Sequence, residues 1–133
     1  SITHATMISA GINVNMTNEA AVMRDGSVLD FCRLNEITIQ PWSPFQYGFF
    51  EGVFLGSDKF PELNAKIDEL AAKYQVTNTT IALAWILRHP ARMQPIIGTM
   101  NIGRLQDCCR AAAVNLTREE WYEIYRAAGN QLP

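Results

Sequence analysis

Ile37-Thr38-Ile39-Gln40-Pro41-Trp42-Ser43 and Gln94-Pro95-Ile96-Ile97-Gly98 are the two short stretches on which the fold turns. The first is β-branched and alternates apolar with polar side chains as far as Gln40, where Pro41 ends it, so Ile37–Gln40 reads as a strand. The second is a brief apolar run closed by a glycine and reads as another. Two helices are predicted between them. Pro61 suits a first helical turn, with Ser57 or Asp58 available as caps, and Leu63, Ile67, Leu70, Ala71 and Tyr74 recur at helical spacing. The next helix begins at Thr77 or Asn78 and carries Ile81, Ala82, Ala84, Trp85 and Leu87. It must stop before Pro90, which pushes His89 away from helical geometry. Strands separated by helices indicate a parallel α/β architecture. Two strands cannot form a sheet buried on both faces, as parallel strands require, so the chain reads as a piece of a larger fold.

Working outward, Ser27 to Leu34 places Val28, Leu29, Phe31, Cys32 and Leu34 on a broad apolar face, a short helix that Asn35-Glu36 breaks. Asn101 is a good N-cap for a helix through Leu105, Cys108, Cys109 and Ala112. Thr117 and Glu120 have capping-box spacing, Leu116 and Trp121 sit where a hydrophobic staple belongs, and Gly129 reads as the stop. The element order is helix, strand, helix, helix, strand, helix, helix. Trp42 to Gly56 reads as a long loop with six aromatics interleaved among glycines, and loops of that length are functional or disordered. Six aromatics argue against disorder. Upstream, residues 1–26 carry scattered apolar side chains and a turn at Asp25-Gly26.

Composition narrows the function. The 133 residues carry thirteen acids and eleven bases, a net charge of −2, and no Lys/Arg cluster, which excludes a nucleic-acid footprint. Hydrophobic residues make up 48% and charged ones only 18%, against roughly 25% charged in ordinary soluble domains, so the chain must bury much of its surface. No apolar run is long enough for a membrane span. Cys32, Cys108 and Cys109 form neither a disulfide framework nor a zinc spacing, which with the absence of a signal peptide points to the cytoplasm. The Asn-x-Thr triplets at Asn15, Asn78 and Asn115 read as chance or as helix caps.

Chemistry concentrates after the two strands. Gly98 allows a ligand close to the backbone, Thr99 offers a hydroxyl, the following helix presents free N–H groups, and Arg104 adds a planar fork one turn in. Together these describe a site for a phosphate monoester, although an ordinary strand-to-helix turn with a solvated arginine would use the same residues. Trp42-Ser43-Pro44-Phe45 could likewise stack on a flat ring and bond a phosphate oxygen, or be a core tryptophan followed by a turn. His4 and His89 have no partner at metal or catalytic spacing. Cys108 and Cys109 point to different helix faces and read as packing. Glu119-Glu120 belongs to a helix start and Asp68-Glu69 to a solvated helix edge.

The run Ile37 to Phe45, the aromatic loop with Gly48, the segment Pro95-Ile-Ile-Gly-Thr-Met-Asn-Ile-Gly-Arg-Leu105 and the helix Asn78 to Pro90 together resemble the C-terminal part of an aldo/keto reductase. The likeness covers nearly the whole chain. It implies a (β/α)8 TIM barrel, which typically needs about 250 residues. The chain would supply the tail of the sixth strand at Ser1 to His4, then the seventh and eighth strands with their helices. It also implies NADP(H) bound at the C-terminal ends of the strands and reduction of a small carbonyl substrate by the complete barrel. By position, Trp42 would stack on the nicotinamide, and Ser43 and Phe45 would line the pyrophosphate path. Thr99 and Arg104 would hold the adenosine 2′-phosphate, with Asp107 and Cys108 near the adenine and Gly98 and Met100 also among the cofactor-binding residues. Gly98 stands where many members carry a basic residue, and Cys108 where many carry a polar one. The long C-terminal substrate loop of some members has no counterpart before Pro133.

The resemblance places the catalytic Asp, Tyr, Lys and His upstream of Ser1, so no catalytic residue is assigned within the chain. Trp85, Ile86 and Leu87 would widen a helix face turned toward the barrel, and an N-terminal half or self-association would cover the exposed strand edges. Two other readings use the same residues: a non-catalytic, nucleotide-sensing protein, and a self-associating α/β module.

Overall fold

The computed structural model describes residues 27–47 and 52–129. Helix α1 spans Ser27–Leu34, a two-residue hairpin pairs β1 (Gln46–Tyr47) with β2 (Gly52–Val53), and helices α2 (Pro61–Tyr74) and α3 (Asn78–Leu87) follow. Helix α4 (Ile102–Arg110) runs into a 3-10 turn at Ala111–Ala113, and α5 (Arg118–Ala127) comes last. The expected turn at Asp25-Gly26 and the sixth-strand tail at Ser1–His4 lie outside the described residues.

The helices form where local chemistry asks for them. Thr77 Oγ1 accepts the Thr80 N–H at 3.3 Å and caps α3. Asn101 Oδ1 does the same for α4, taking the Arg104 N–H at 3.0 Å. At α5 the capping box is complete: Thr117 Oγ1 accepts from the Glu120 N–H at 3.2 Å, and Glu120 Oε2 accepts from the Thr117 N–H at 2.7 Å. Gly129, at φ 85°, terminates α5 and donates its N–H to Arg126 O. Helix α2 departs from expectation. Phe60 occupies its N-cap without a side-chain bond, and Ser57 Oγ instead accepts the Lys59 N–H.

The core sits around α3. Every residue from Thr80 to Ile86 is buried, because a helix apolar on all sides must be covered on all sides. α2 lies on one flank, and α4 with its 3-10 extension on another. Trp85, which the sequence points toward the rest of a barrel, is buried inside the chain. Its ring stacks on Trp121 of α5 at 4.5 Å with 9° between planes. Each indole N–H donates to the other's backbone carbonyl, at 3.0 and 2.9 Å, so the buried Trp85 ring and the partly buried Trp121 ring pack with no orphaned donor. Of that apolar triplet only Leu87 stays exposed.

Neither expected strand, Ile37–Gln40 or Gln94–Gly98, forms a regular strand, but the two segments do pair in parallel. Gln94 N donates to Ile39 O and Ile96 N to Pro41 O, both at 2.9 Å, and Trp42 is bridged to Ile96 in parallel. The pairing runs past Pro41, which gives its carbonyl but has no N–H to give, and reaches Trp42. Each segment has a single neighbour among the described residues, which holds the ladder to a bridge. The expected long loop from Trp42 to Gly56 contains the β1–β2 hairpin. Tyr47 is buried edge-on against Phe60 at 4.9 Å. Gly52 (φ 137°) faces the Tyr47 ring, where an added Cβ would lie 3.6 Å from the ring and be strained by the backbone.

Behind the core, α2 and α5 are tied by one carboxylate. Glu120 is buried, accepts from Lys73 Nζ at 2.6 Å and Tyr74 OH at 2.7 Å, and closes the capping box. Burial pushes its pKa up, but the bonds from Lys73, the Thr117 N–H and Tyr74 outweigh it and hold the carboxyl below its ordinary range. A depressed folded-state pKa gives stability that is complete above the unfolded value of about 4.3 and is lost as pH falls through the folded value. Urea unfolding midpoints should therefore fall more steeply in the wild-type protein than in Glu120→Gln as pH drops from about 5 to 3. Parallel acid profiles would contradict this.

Candidate active site

The parallel bridge brings two chain exits to one end of the ladder. After Trp42 the chain turns sharply: Ser43 has φ 49°, in the left-handed region, and its carbonyl accepts the Gln46 N–H at 3.1 Å. After Ile96 it runs through Gly98, Thr99 and Met100 to the Asn101 cap. Trp42 is 60% exposed and Met100 99%, so two large side chains lie open beside the ladder end. Phe45 packs partly into the core and gives its carbonyl to Phe54 N at 3.0 Å, which leaves only its N–H for a ligand. A Cβ on Gly98 would meet nothing within 4 Å.

The polar groups divide into those in use and those left over. Thr99 Oγ1 accepts from the Asn101 N–H at 3.2 Å and still has its own proton to donate. The Ser43 hydroxyl and the Arg104 guanidinium have no partner among the described residues. Neither do the N–H groups of Ile102 and Gly103 at the α4 N-terminus. Donors left over at a helix N-terminus beside a free arginine form an arrangement that receives an anion.

Asp107 is fastened one turn further along. Its carbonyl accepts from Thr80 Oγ1 at 2.8 Å and its carboxylate lies 3.6 Å from Arg110. Cys108 is not on the open face. It is buried in the core, and burial pushes its thiol pKa up, so its side chain is not offered to a ligand beside Arg104. Cys109 is exposed, as expected of a helical neighbour pointing elsewhere. His89 is half-buried, and its Nδ1 accepts the Ala91 N–H at 3.1 Å. Among the described residues no group of His, Cys, Asp and Glu could hold a metal ion, and no helix is long and apolar enough to cross a membrane.

Two positioning features escaped the sequence reading. Gln40 Nε2 donates to Gln94 Oε1 at 2.9 Å across the ladder; the signal was a glutamine directly before a proline in both segments. Asn64, on the first turn of α2, donates to Phe54 O, Ser57 O and Phe60 O at 2.9, 3.1 and 2.9 Å, and accepts the Gly56 N–H at 2.8 Å. One amide thus closes the turn that joins the hairpin to α2, and Phe54 of that turn is bonded to Phe45.

Comparison with known proteins agrees with this architecture. The sequence matches the Aldo/keto reductase family over residues 8–128. The chain belongs to the aldo/keto reductase family. It is 33% identical over 102 residues to a 6-dehydroglucose reductase of Agrobacterium fabrum, covering 74% of this chain and 32% of that protein. It is 29% identical over 123 residues to the NADP(+) aldo-keto reductase yakc of Schizosaccharomyces pombe, covering 77% of this chain and 36% of that protein. In fold it resembles a thermostable aldo-keto reductase crystallised with the inhibitor epalrestat, with a TM-score of 0.64 and 24% identity over 86% of this chain and 38% of that one. The chain spans about a third of the length of the relatives it matches. Its architecture is therefore the helix-rich α/β layering of an aldo/keto reductase barrel.

Asn64 gives a local test. Asn64→Ala leaves the Gly56 N–H without its partner and takes one of two donors from the carbonyls of Phe54, Ser57 and Phe60, at a cost of about 1–3 kcal/mol of stability. Amide hydrogen exchange at Gly56 should accelerate while that at Trp85 holds its order among the slowest. Unchanged exchange at Gly56 would show that the amide is dispensable.

Proposed function

We propose that the ladder segments are the seventh and eighth strands of an aldo/keto reductase barrel, and that the groups at their C-terminal end hold NADP(H) for the reduction of a small aldehyde or ketone. The observation that carries the reading is the coincidence, at one end of one parallel bridge, of an open indole with unpaired phosphate-binding donors. A nicotinamide dinucleotide fits such a row, with a flat ring at one end and a phosphate at the other. When bound, the cofactor supplies the hydride. Trp42 stacks on the nicotinamide and limits its tilt. Ser43 Oγ and the Phe45 N–H donate to the pyrophosphate. Thr99, the free α4 N–H groups and Arg104 receive the 2′-phosphate beside the open space at Gly98, while Met100 and the Asp107 side chain flank the adenosine. Cys108 supports α4 from behind.

The rest of the barrel has a physical role as well. Phe31, Leu34, Ile37 and Ile96 are exposed along α1 and the ladder, and an apolar strand edge is a template for pairing. An N-terminal half of the barrel would cover them. Among the described residues no acid and base stand together at the ladder end, so the 133-residue chain by itself should oxidise no NADPH with a simple aldehyde. Turnover that Trp42→Ala abolishes would overturn that.

The cofactor assignment is tested in the complete protein. Arg104→Ala removes a charge-assisted bond to the 2′-phosphate, which NADH lacks. NADPH binding should weaken by about 1.5–3 kcal/mol with NADH little affected. Equal losses for the two nucleotides would give Arg104 another role.

A further inference from the structure

The opposite end of the ladder holds a second group of cations. Arg33 precedes the Ile37 segment, and Arg88 and His89 precede the Met93 segment, so all three lie before the parallel strands rather than after them. With Arg118, Trp121 and Tyr122 of α5 they wall a hollow of about 310 Å³, at the small end of ligand-binding cavities. Three of the chain's eight arginines thus converge in a protein of net charge −2. Among the described residues no carboxylate lines the hollow. Asp30, the partner of Arg33, lies outside it at 3.9 Å.

The wall is built of donors and ring carbon. Arg88 is anchored through Nε, which donates to Leu116 O at 3.0 Å and leaves its two terminal nitrogens to spare. Arg118 sits over the Tyr122 ring at 5.8 Å. His89 uses Nδ1 as an acceptor, so its neutral ring carries the proton on Nε2. Burial, and then the charge of Arg33, hold its pKa below the ordinary histidine range against the pull of Asp30. Trp121 has spent its N–H on Trp85 O and offers only its ring. A ligand that complements these walls brings several acceptor oxygens, negative charge and an apolar body.

We propose that this hollow is a second binding site, distinct from the nucleotide end, for a small organic phosphate monoester whose apolar part rests against Trp121 and Tyr122. Guanidinium forks match a phosphate dianion bidentately, and three of them favour it over a monoanionic carboxylate. The probe is phenyl phosphate, titrated into the full protein by calorimetry and followed at the Trp121 indole N–H by NMR. Saturable binding that shifts Trp121 is expected, with inorganic phosphate and benzoate weaker. Arg33→Gln and Arg118→Gln, both exposed and outside the core, should each weaken it about tenfold, the equivalent of one charge-assisted hydrogen bond. Arg104→Ala should leave it unchanged. Absence of saturation at millimolar probe would overturn the proposal, as would a loss under threefold in both variants. Loss of binding in Arg104→Ala alone would place the probe at the nucleotide end and equally refute a second site.

Discussion

Two backbone hydrogen bonds, Gln94 N to Ile39 O and Ile96 N to Pro41 O, set the geometry on which the rest of the chain depends. They join segments more than fifty residues apart and make them run parallel. Parallel alignment means that both segments leave the ladder at the same end. It is this constraint, rather than any single side chain, that puts the Ser43 turn beside the Gly98–Thr99 exit and the α4 N-terminus. An antiparallel pairing of the same residues would send Trp42 and Arg104 to opposite ends. The Gln40–Gln94 side-chain bond adds a register mark, since a slip of one residue would also turn each ladder side chain to the other face.

A ladder this short cannot hold itself in place, and the helices behind it supply the rigidity. α3 is encased by its neighbours, and the paired indoles of Trp85 and Trp121 fix α5 against it. Glu120 then locks α5 to α2, while Asn64 on α2 holds the turn that leads back to the hairpin. The path from the core to Phe45 is therefore a series of hydrogen bonds with named donors and acceptors. Thr80 Oγ1 does the same for α4 by bonding Asp107 O. Both arms of the candidate site are braced on one helix pair, and the side chains left unbraced, Trp42, Met100 and Arg104, are those that the proposed nucleotide would meet.

What the sequence disclosed follows from the range of the forces involved. Thr77, Asn101, Thr117 and Glu120 act within one helical turn, so their caps could be read from spacing. Pro90 ended α3 for a reason equally local. The hairpin at Gln46–Tyr47 was hidden because its stability comes from Tyr47 on Phe60 and from the Phe54–Phe45 bond, which no periodicity encodes. Trp85 was turned the wrong way because a helix apolar all round carries no marker of which partner covers which side. Asn64 escaped notice because its reach back across the turn depends on a chain path fixed elsewhere. At the candidate site, Trp42, Ser43, Thr99 and Arg104 could be named from sequence because a strand end, a glycine and a capped helix occur in sequence order. Cys108 in the same stretch is buried, as its reading as a packing residue expects, and that burial depends on α3 lying against the inner face of α4.

The account stands on the parallel bridge lining up an indole and a phosphate site along one nucleotide. A crystal structure of the complete protein with NADPH tests this most directly. The account requires the nicotinamide against Trp42 and the 2′-phosphate within hydrogen-bonding distance of Arg104 and Thr99. A nucleotide bound with its 2′-phosphate away from Arg104, or with the indole of Trp42 covered by protein instead of the nicotinamide, would contradict it.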